Sequence, residues 1–217
     1  MFGQALVRLE AAIATDDLVY AYAPPGFGLP TFVRSASESL ARTLVLVRAP
    51  MDERDLARVQ ETVALPDDFC VVVDDPTGHV GPGDAAELAI ALGRRGLLVL
   101  GRTPRPEWDE SQTSTVLRPV DLLADPPEPG TPVDARAAGR WPALVDVHAQ
   151  ADPALAAAEV RTHVRRQWWP HVPEAWRPTL ATLVAAGRFR PERERTVLPG
   201  IDPVVLDDLL DLGVIEP

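Results

Sequence analysis

The chain has 217 residues and contains no lysine: all 21 of its basic residues are arginine. No phosphate-cradling loop in it can therefore carry the usual ammonium group. Cysteine is almost as scarce. Cys70 stands alone, so no internal disulfide can form, and a cytoplasmic location is expected. No apolar run approaches the ~18 residues that span a bilayer. The opening stretch, MFGQALVRLEAAIATDD, carries Glu10 and lacks both a basic start and a small-residue cleavage site. It is not expected to act as a secretion signal. Positive charge is also short. With 32 acidic residues the net charge is −11, which disfavours non-specific nucleic-acid binding, since phosphate neutralisation needs clustered cations. His79, His148, His163 and His171 have no partner at metal-ligand spacing, and there is no G-x-S-x-G elbow.

What is present is a globular composition, 46% hydrophobic and 24% charged, long enough for one sizeable core or a core with a small satellite. The spacing predicts an amphipathic helix over 3–14, with Leu6, Leu9 and Ile13 on one side. Apolar strands are predicted at Leu18–Ala23, Thr43–Arg48, Phe69–Asp74, Gly96–Gly101 and Thr115–Val120. Helices are predicted between them, at Thr31–Ala41, Asp52–Val63 and Gly83–Arg94. This alternation implies an α/β fold with a parallel five-stranded sheet and right-handed crossovers. Asp125–Pro132 (DPPEPGTP) then reads as a Pro-rich linker. Beyond it, helices are predicted at Ala135–Gln150, Pro153–Arg166 and Pro173–Ala186. An Arg/Glu hairpin follows at Arg188–Thr196, then a helix at Pro203–Leu212 capped by Asp202. The expected domains are 1–124 (α/β), the linker 125–132, a helical segment 133–168 and a winged-helix-like unit 169–217.

Leu18–Thr31 (LVYAYAPPGFGLPT) is a strand running through a glycine turn into a helix, the layout of the phosphate loop G-x-x-x-x-G-K-[ST]. Ala23 takes the first glycine position and Gly28 the second. Leu29 takes the lysine position and Pro30 that of the Ser/Thr. Gly26 and Gly28 supply the tight turn, and the helix behind them supplies a dipole. Leu29 supplies no charge. Pro30 supplies neither amide nor hydroxyl, although it suits a helix start. Thr31 sits one residue late for a metal. The turn is thus either a vestigial phosphate site or a plain strand-to-helix connection.

Val71–Asp75 ends an apolar strand in two acids, a Walker-B pattern. Asp74 would hold the Mg²⁺ shell and Asp75 would orient water. The bland alternative is a turn aspartate. Arg102, after the fourth strand, is either a γ-phosphate sensor or a solvated arginine in a Pro-bounded turn. Trp141-Pro142 makes a rigid aromatic corner whose ordinary role is core packing.

Together these residues resemble the regulatory ATPase module of large LuxR-type transcription activators of the maltose-regulator kind, members of the STAND class of P-loop switch NTPases. Ala23-Pro-Pro-Gly-Phe-Gly-Leu-Pro-Thr31 is similar to that family's A-P-A-G-Y-G-K-T-T turn, except at the two chemical positions. Asp74-Asp75 matches its acidic strand end. Gly101-Arg102-Thr103-Pro104-Arg105-Pro106 approximates its S-R-x-x-P, Arg140-Trp141-Pro142 its G-W-P beside adenine, and Asp202–Ile215 the end of its winged helix. The resemblance implies a nucleotide site around Gly26, Gly28, Thr31, Arg102, Trp141 and Pro142. In it, Thr31 and Asp74 face a metal, and Asp74 and Asp75 do any catalysis.

The expected function is a non-catalytic or weakly nucleotide-binding regulatory module. It would act on a protein partner, or on other domains of a larger signalling or transcription regulator, with no cofactor. The alternative is an ATP-hydrolysing switch that uses ATP and Mg²⁺, with a partner supplying the missing cation. Nucleic acid is not an expected partner of this chain alone, because Glu192 and Glu194 interleave the Arg188–Arg195 cluster. No membrane partner is expected.

Overall fold

The computed structural model describes residues 3–15, 18–40, 43–52, 54, 57, 59, 61, 69–91, 97–111, 114–125, 140–152, 154–186, 201–211 and 214. Helix α1 (Gly3–Ala14) leads into β1 (Leu18–Tyr22), then α2 (Leu29–Leu40), β2 (Thr43–Arg48) and β3 (Phe69–Asp74). Next come α3 (Pro82–Ala91), β4 (Leu97–Gly101), the one-turn helix α4 (Pro106–Asp109) and β5 (Ser114–Leu117). Helices α5 (Pro142–Gln150), α6 (Ala156–His163), α7 (Arg177–Ala186) and α8 (Pro203–Asp211) follow. The strands form one parallel sheet in the order β2-β3-β4-β1-β5. This is the α/β architecture that the alternating pattern predicts.

The central strands β1, β3 and β4 are apolar at nearly every position because both faces of the sheet are covered there, whereas the edge strand β2 leaves Leu46 open. Side chains alternate between two cores. Val19, Ala21, Cys70, Val72, Leu98 and Leu100 point to one, which α1, α2 and the helices after residue 140 complete. Leu18, Tyr20, Tyr22, Val71, Val73 and Val99 point to the other, with Leu88 of α3 and Trp108 of α4. Helix α1 buries Ala5, Leu9, Ala12 and Ile13 along one stripe, as its apolar spacing requires, and Leu6 packs at the margin. Because every strand runs the same way, the ends of β1, β3 and β4 emerge along one edge of the sheet. Open α/β sheets place ligand sites along that edge.

Several elements differ from expectation. The fifth strand stops at Leu117 instead of Val120. Pro119 opens a 3-10 turn, and the Asp121 carboxylate accepts the Arg118 amide at 3.0 Å, which turns the chain away from the ladder. The helix expected over Pro153–Arg166 begins at Ala156 and passes into a π turn at Val164–Trp168. Helix α4 is an addition: Pro106 starts it, and its Trp108 is fully buried. The linker at 126–132, residues 135–139, most of the Asp52–Val63 helix and the 188–196 hairpin lie outside the described residues.

Tyr20 shows how tightly the second core closes. Its ring stacks on Trp108 at 4.9 Å and 12°, and its hydroxyl donates to the Thr103 carbonyl at 2.8 Å. Position 101 must be glycine, since a Cβ there would lie 1.9 Å from that hydroxyl. Burial pushes the Tyr20 pKa up to about 12, against the pull of the nearby Arg105. The folded chain therefore holds this proton more tightly than the unfolded one. The associated stability is fully present below pH 10 and is lost as pH rises towards about 12. The chain has no lysine to titrate in the same window. Urea denaturation at stepped alkaline pH is expected to show a loss on the order of 2–3 kcal/mol from Tyr20. Tyr20→Phe is expected to flatten the slope, leaving the smaller part due to Tyr22, whose pKa burial also raises.

Candidate functional site

The chain leaves β1 through Pro24 and Pro25 and turns on two glycines with left-handed backbone, Gly26 at φ 83° and Gly28 at φ 109°. Only glycine adopts these angles readily. The Phe27 amide donates to the Pro24 carbonyl at 3.1 Å, and the Phe32 amide donates to the Gly28 carbonyl at 3.0 Å, which starts α2. Pro30 is exposed at the start of that helix, where its missing amide is no loss. The side chains on either side of Gly28 both point inward: Phe27 is 0% exposed and Leu29 is 3% exposed.

The outer side of this turn is covered by the chain itself. The Ala143 amide, in the first turn of α5, donates to the Phe27 carbonyl at 3.0 Å. A Cβ at Gly28 would lie 2.3 Å from the Ala143 nitrogen, and one at Gly26 would lie 3.1 Å from the Gln167 carbonyl carbon. His163 Nε2 is 3.0 Å from the Gly26 carbonyl, a bond in which the ring N–H donates. The Trp141 ring packs on Phe27 at 5.2 Å and meets Trp168 edge-on at 5.4 Å. Arg140 holds this corner down: its Nε donates to the Ala124 carbonyl at 2.6 Å, and the Ala124 amide donates back to the Arg140 carbonyl at 2.8 Å. Four of the predicted site residues, Gly26, Gly28, Trp141 and Pro142, thus gather where the helices after residue 140 pack on the glycine turn.

The remaining predicted residues separate. Asp75 is 1% exposed, and its two oxygens accept the amides of His79 (2.9 Å) and Val80 (2.8 Å). Arg105 stands 3.8 Å from Asp75 and also donates to the Val80 carbonyl at 2.9 Å. Asp75 therefore organises the loop after β3, with one backbone amide on each of its oxygens. Asp74 stays about one-quarter exposed and pairs with Arg102 at 2.8 Å, acid and arginine neutralising each other. Thr31 receives the Arg34 guanidinium at 3.5 Å, and Arg34 also reaches Asp146 at 3.2 Å. His163 and Arg105 are the structural residues that sequence reasoning did not assign. Only the rigid Pro104-Arg105-Pro106 run hinted at one of them.

These residues do not fit a Mg²⁺-bound triphosphate. The lysine position is a buried leucine, the Ser/Thr position is a proline, Ala143 is seated on Gly28, and Asp74 already holds a cation. Among the described residues no three His, Cys, Asp or Glu side chains are grouped to hold a metal. No helix among them is long and apolar enough to cross a membrane.

No family model matches the chain, and no curated protein matches it. Among solved structures it is similar to RuvB of Thermotoga maritima, described as a Holliday junction branch migration motor. The identity is 16% over 99% of this chain and 70% of that one, with a TM-score of 0.40. A mutant form of the same protein gives 15% identity over 99% and 71%, also at 0.40. A likeness this slight carries no inference about activity.

Two pairs of variants test this geometry by urea denaturation. Gly28→Ala is expected to destabilise by roughly 3–5 kcal/mol, from backbone strain plus overlap with Ala143. Gly83→Ala, which meets nothing within 4 Å, is expected to gain roughly 0.5–1 kcal/mol. Asp75→Asn is expected to cost about 1–3 kcal/mol, because its amide group faces a backbone donor. Asp74→Asn removes only a part-exposed ion pair and is expected to cost less than about 1 kcal/mol.

Proposed function

We propose that this chain is a degenerate P-loop-type regulatory module that acts through protein contacts and not through nucleotide turnover. The strand-turn-helix at Leu18–Leu40 and the acidic end of β3 are read as the frame of a nucleotide switch. The helical part from 169 onward, including α7 and α8, is read as a winged-helix-like unit within a larger STAND-type or LuxR-type regulator. One observation carries the reading: the turn that would cradle phosphate is filled by Phe27 and Leu29 from inside and covered by Ala143 from outside. Bringing a triphosphate to it would require lifting α5 and parting the Phe27–Trp141–Trp168 stack. No lysine would be present to neutralise the charge that entered.

The hydrolytic alternative has less support. It needs Asp75 to give up two backbone hydrogen bonds from a buried position, which costs the desolvation of both amides.

Titration calorimetry with ATP and Mg²⁺ is expected to give no saturable heat, and micromolar binding would overturn the proposal. The double change Leu29→Lys with Pro30→Thr, which would rescue an open pocket, is expected to restore no affinity. It is also expected to lower stability by about 2–4 kcal/mol, because the ammonium would replace a side chain that is 3% exposed.

A further inference from the structure

Beside the closed turn lies a pocket of about 250 Å³, between α2, one face of β2 and the ends of β3 and β4. Its walls are mostly aliphatic, with Leu29, Val33, Leu44 and Leu46 among them. Ser37 and Arg34 also line it, the Arg34 charge being balanced by Asp146 at 3.2 Å, and the Asp74–Arg102 pair stands at its edge. Leu29 and Pro30, at the positions where a phosphate loop carries Lys and Ser/Thr, line one side of it. Leu46 is 54% exposed, so the aliphatic wall is open to solvent. The volume falls just below the ~300–1,000 Å³ of drug-sized ligand pockets, so an occupant is small.

The polar end selects its chemistry. Asp74 gives Oδ1 to Arg102, and among the described residues its Oδ2 has no partner. Arg102 spends one N–H on Asp74 and another on the Gly101 carbonyl at 3.3 Å, which leaves further donors of the guanidinium unused. A lone carboxylate would gain Arg102 but meet the Asp74 charge. A lone amine would gain Asp74 but meet Arg102. A purely apolar guest would desolvate both without replacing their water. A neutral molecule carrying an ammonium and a carboxylate on one carbon satisfies both, with its apolar body against the leucines.

We infer that this pocket binds a free aliphatic α-amino acid, with the ammonium on Asp74, the carboxylate on Arg102 and the side chain against Leu29, Val33, Leu44 and Leu46. The bound molecule would bridge α2, the helix that leaves the glycine turn, to the outer strands. It would thereby give a nucleotide-free module a small-molecule input. The inference rests on the reading that phosphate chemistry has left this edge of the sheet. A positive ATP titration would overturn that reading, whereas an absence of amino-acid binding would overturn only this one.

The test is calorimetry and thermal shift on the full chain with L-leucine, L-isoleucine, L-valine and L-phenylalanine, alongside isocaproate and isoamylamine. These last two keep leucine's carbon chain but lack its amine or its carboxylate. Saturable binding of an aliphatic amino acid is expected, with both truncated analogues at least about tenfold weaker. Asp74→Asn, which keeps the fold, is expected to lose about tenfold or more in affinity. Leu46→Gln, on an exposed wall, is expected to weaken leucine several-fold. Absence of heat with all four amino acids at millimolar concentration would overturn the inference. So would equal affinity for leucine and its truncated analogues, or leucine affinity unchanged in Asp74→Asn.

Discussion

The hydrogen bond from the Ala143 amide to the Phe27 carbonyl, made directly over Gly28, is the contact on which the rest of the arrangement depends. It sets the first turn of α5 on the connection between β1 and α2, leaving no room for a side chain at position 28. Trp141 is then delivered onto Phe27 and Trp168 onto Trp141, and His163 reaches the Gly26 carbonyl. Aromatic contacts of this kind contribute about 0.5–1.5 kcal/mol each beyond their buried area. The helices after residue 140 share the sheet's own core as a result: Trp141, Leu144, Val160, Trp168 and Leu206 belong with Val19, Ala21 and Val72. The same volume cannot hold both this roof and a triphosphate.

Burial separates the two acids at the end of β3. One residue apart in sequence, Asp74 and Asp75 face opposite surroundings because successive strand side chains point to opposite faces. Asp75 turns into the protein and is satisfied by two amides and Arg105, as a buried carboxylate must be. Asp74 turns towards the open edge and is held by Arg102 in a part-solvated pair worth little to stability. The Asp-Asp pattern is therefore compatible with a catalytic pair, yet here its second member is a loop organiser.

Much of the fold could be read from residue order. Strands β2 and β3 match their predicted bounds because both are nearly continuous apolar runs, β3 buried on both faces and the edge strand β2 on one. Helix α1 matches because its buried face repeats at helical spacing. What could not be read is the roof. Ala143 and Phe27 lie far apart in sequence, and neither residue type announces a partner. Trp141-Pro142 read only as aromatic packing without a location. The π turn at Val164–Trp168 and the end of β5 escaped for local reasons: the first leaves helical composition unchanged, and the second is decided by a single Asp121 side chain. The site's chemistry was more legible in its losses, Leu29 and Pro30, than in its contacts.

Amide hydrogen exchange with and without ATP and Mg²⁺ tests the closed turn most directly, because it reads the roof itself. The account predicts that the Ala143 and Phe32 amides exchange as slowly as those of β1 and β4, and that nucleotide leaves them unchanged. Rapid exchange at Ala143, with protection of the 26–32 backbone appearing only when nucleotide is added, would contradict it.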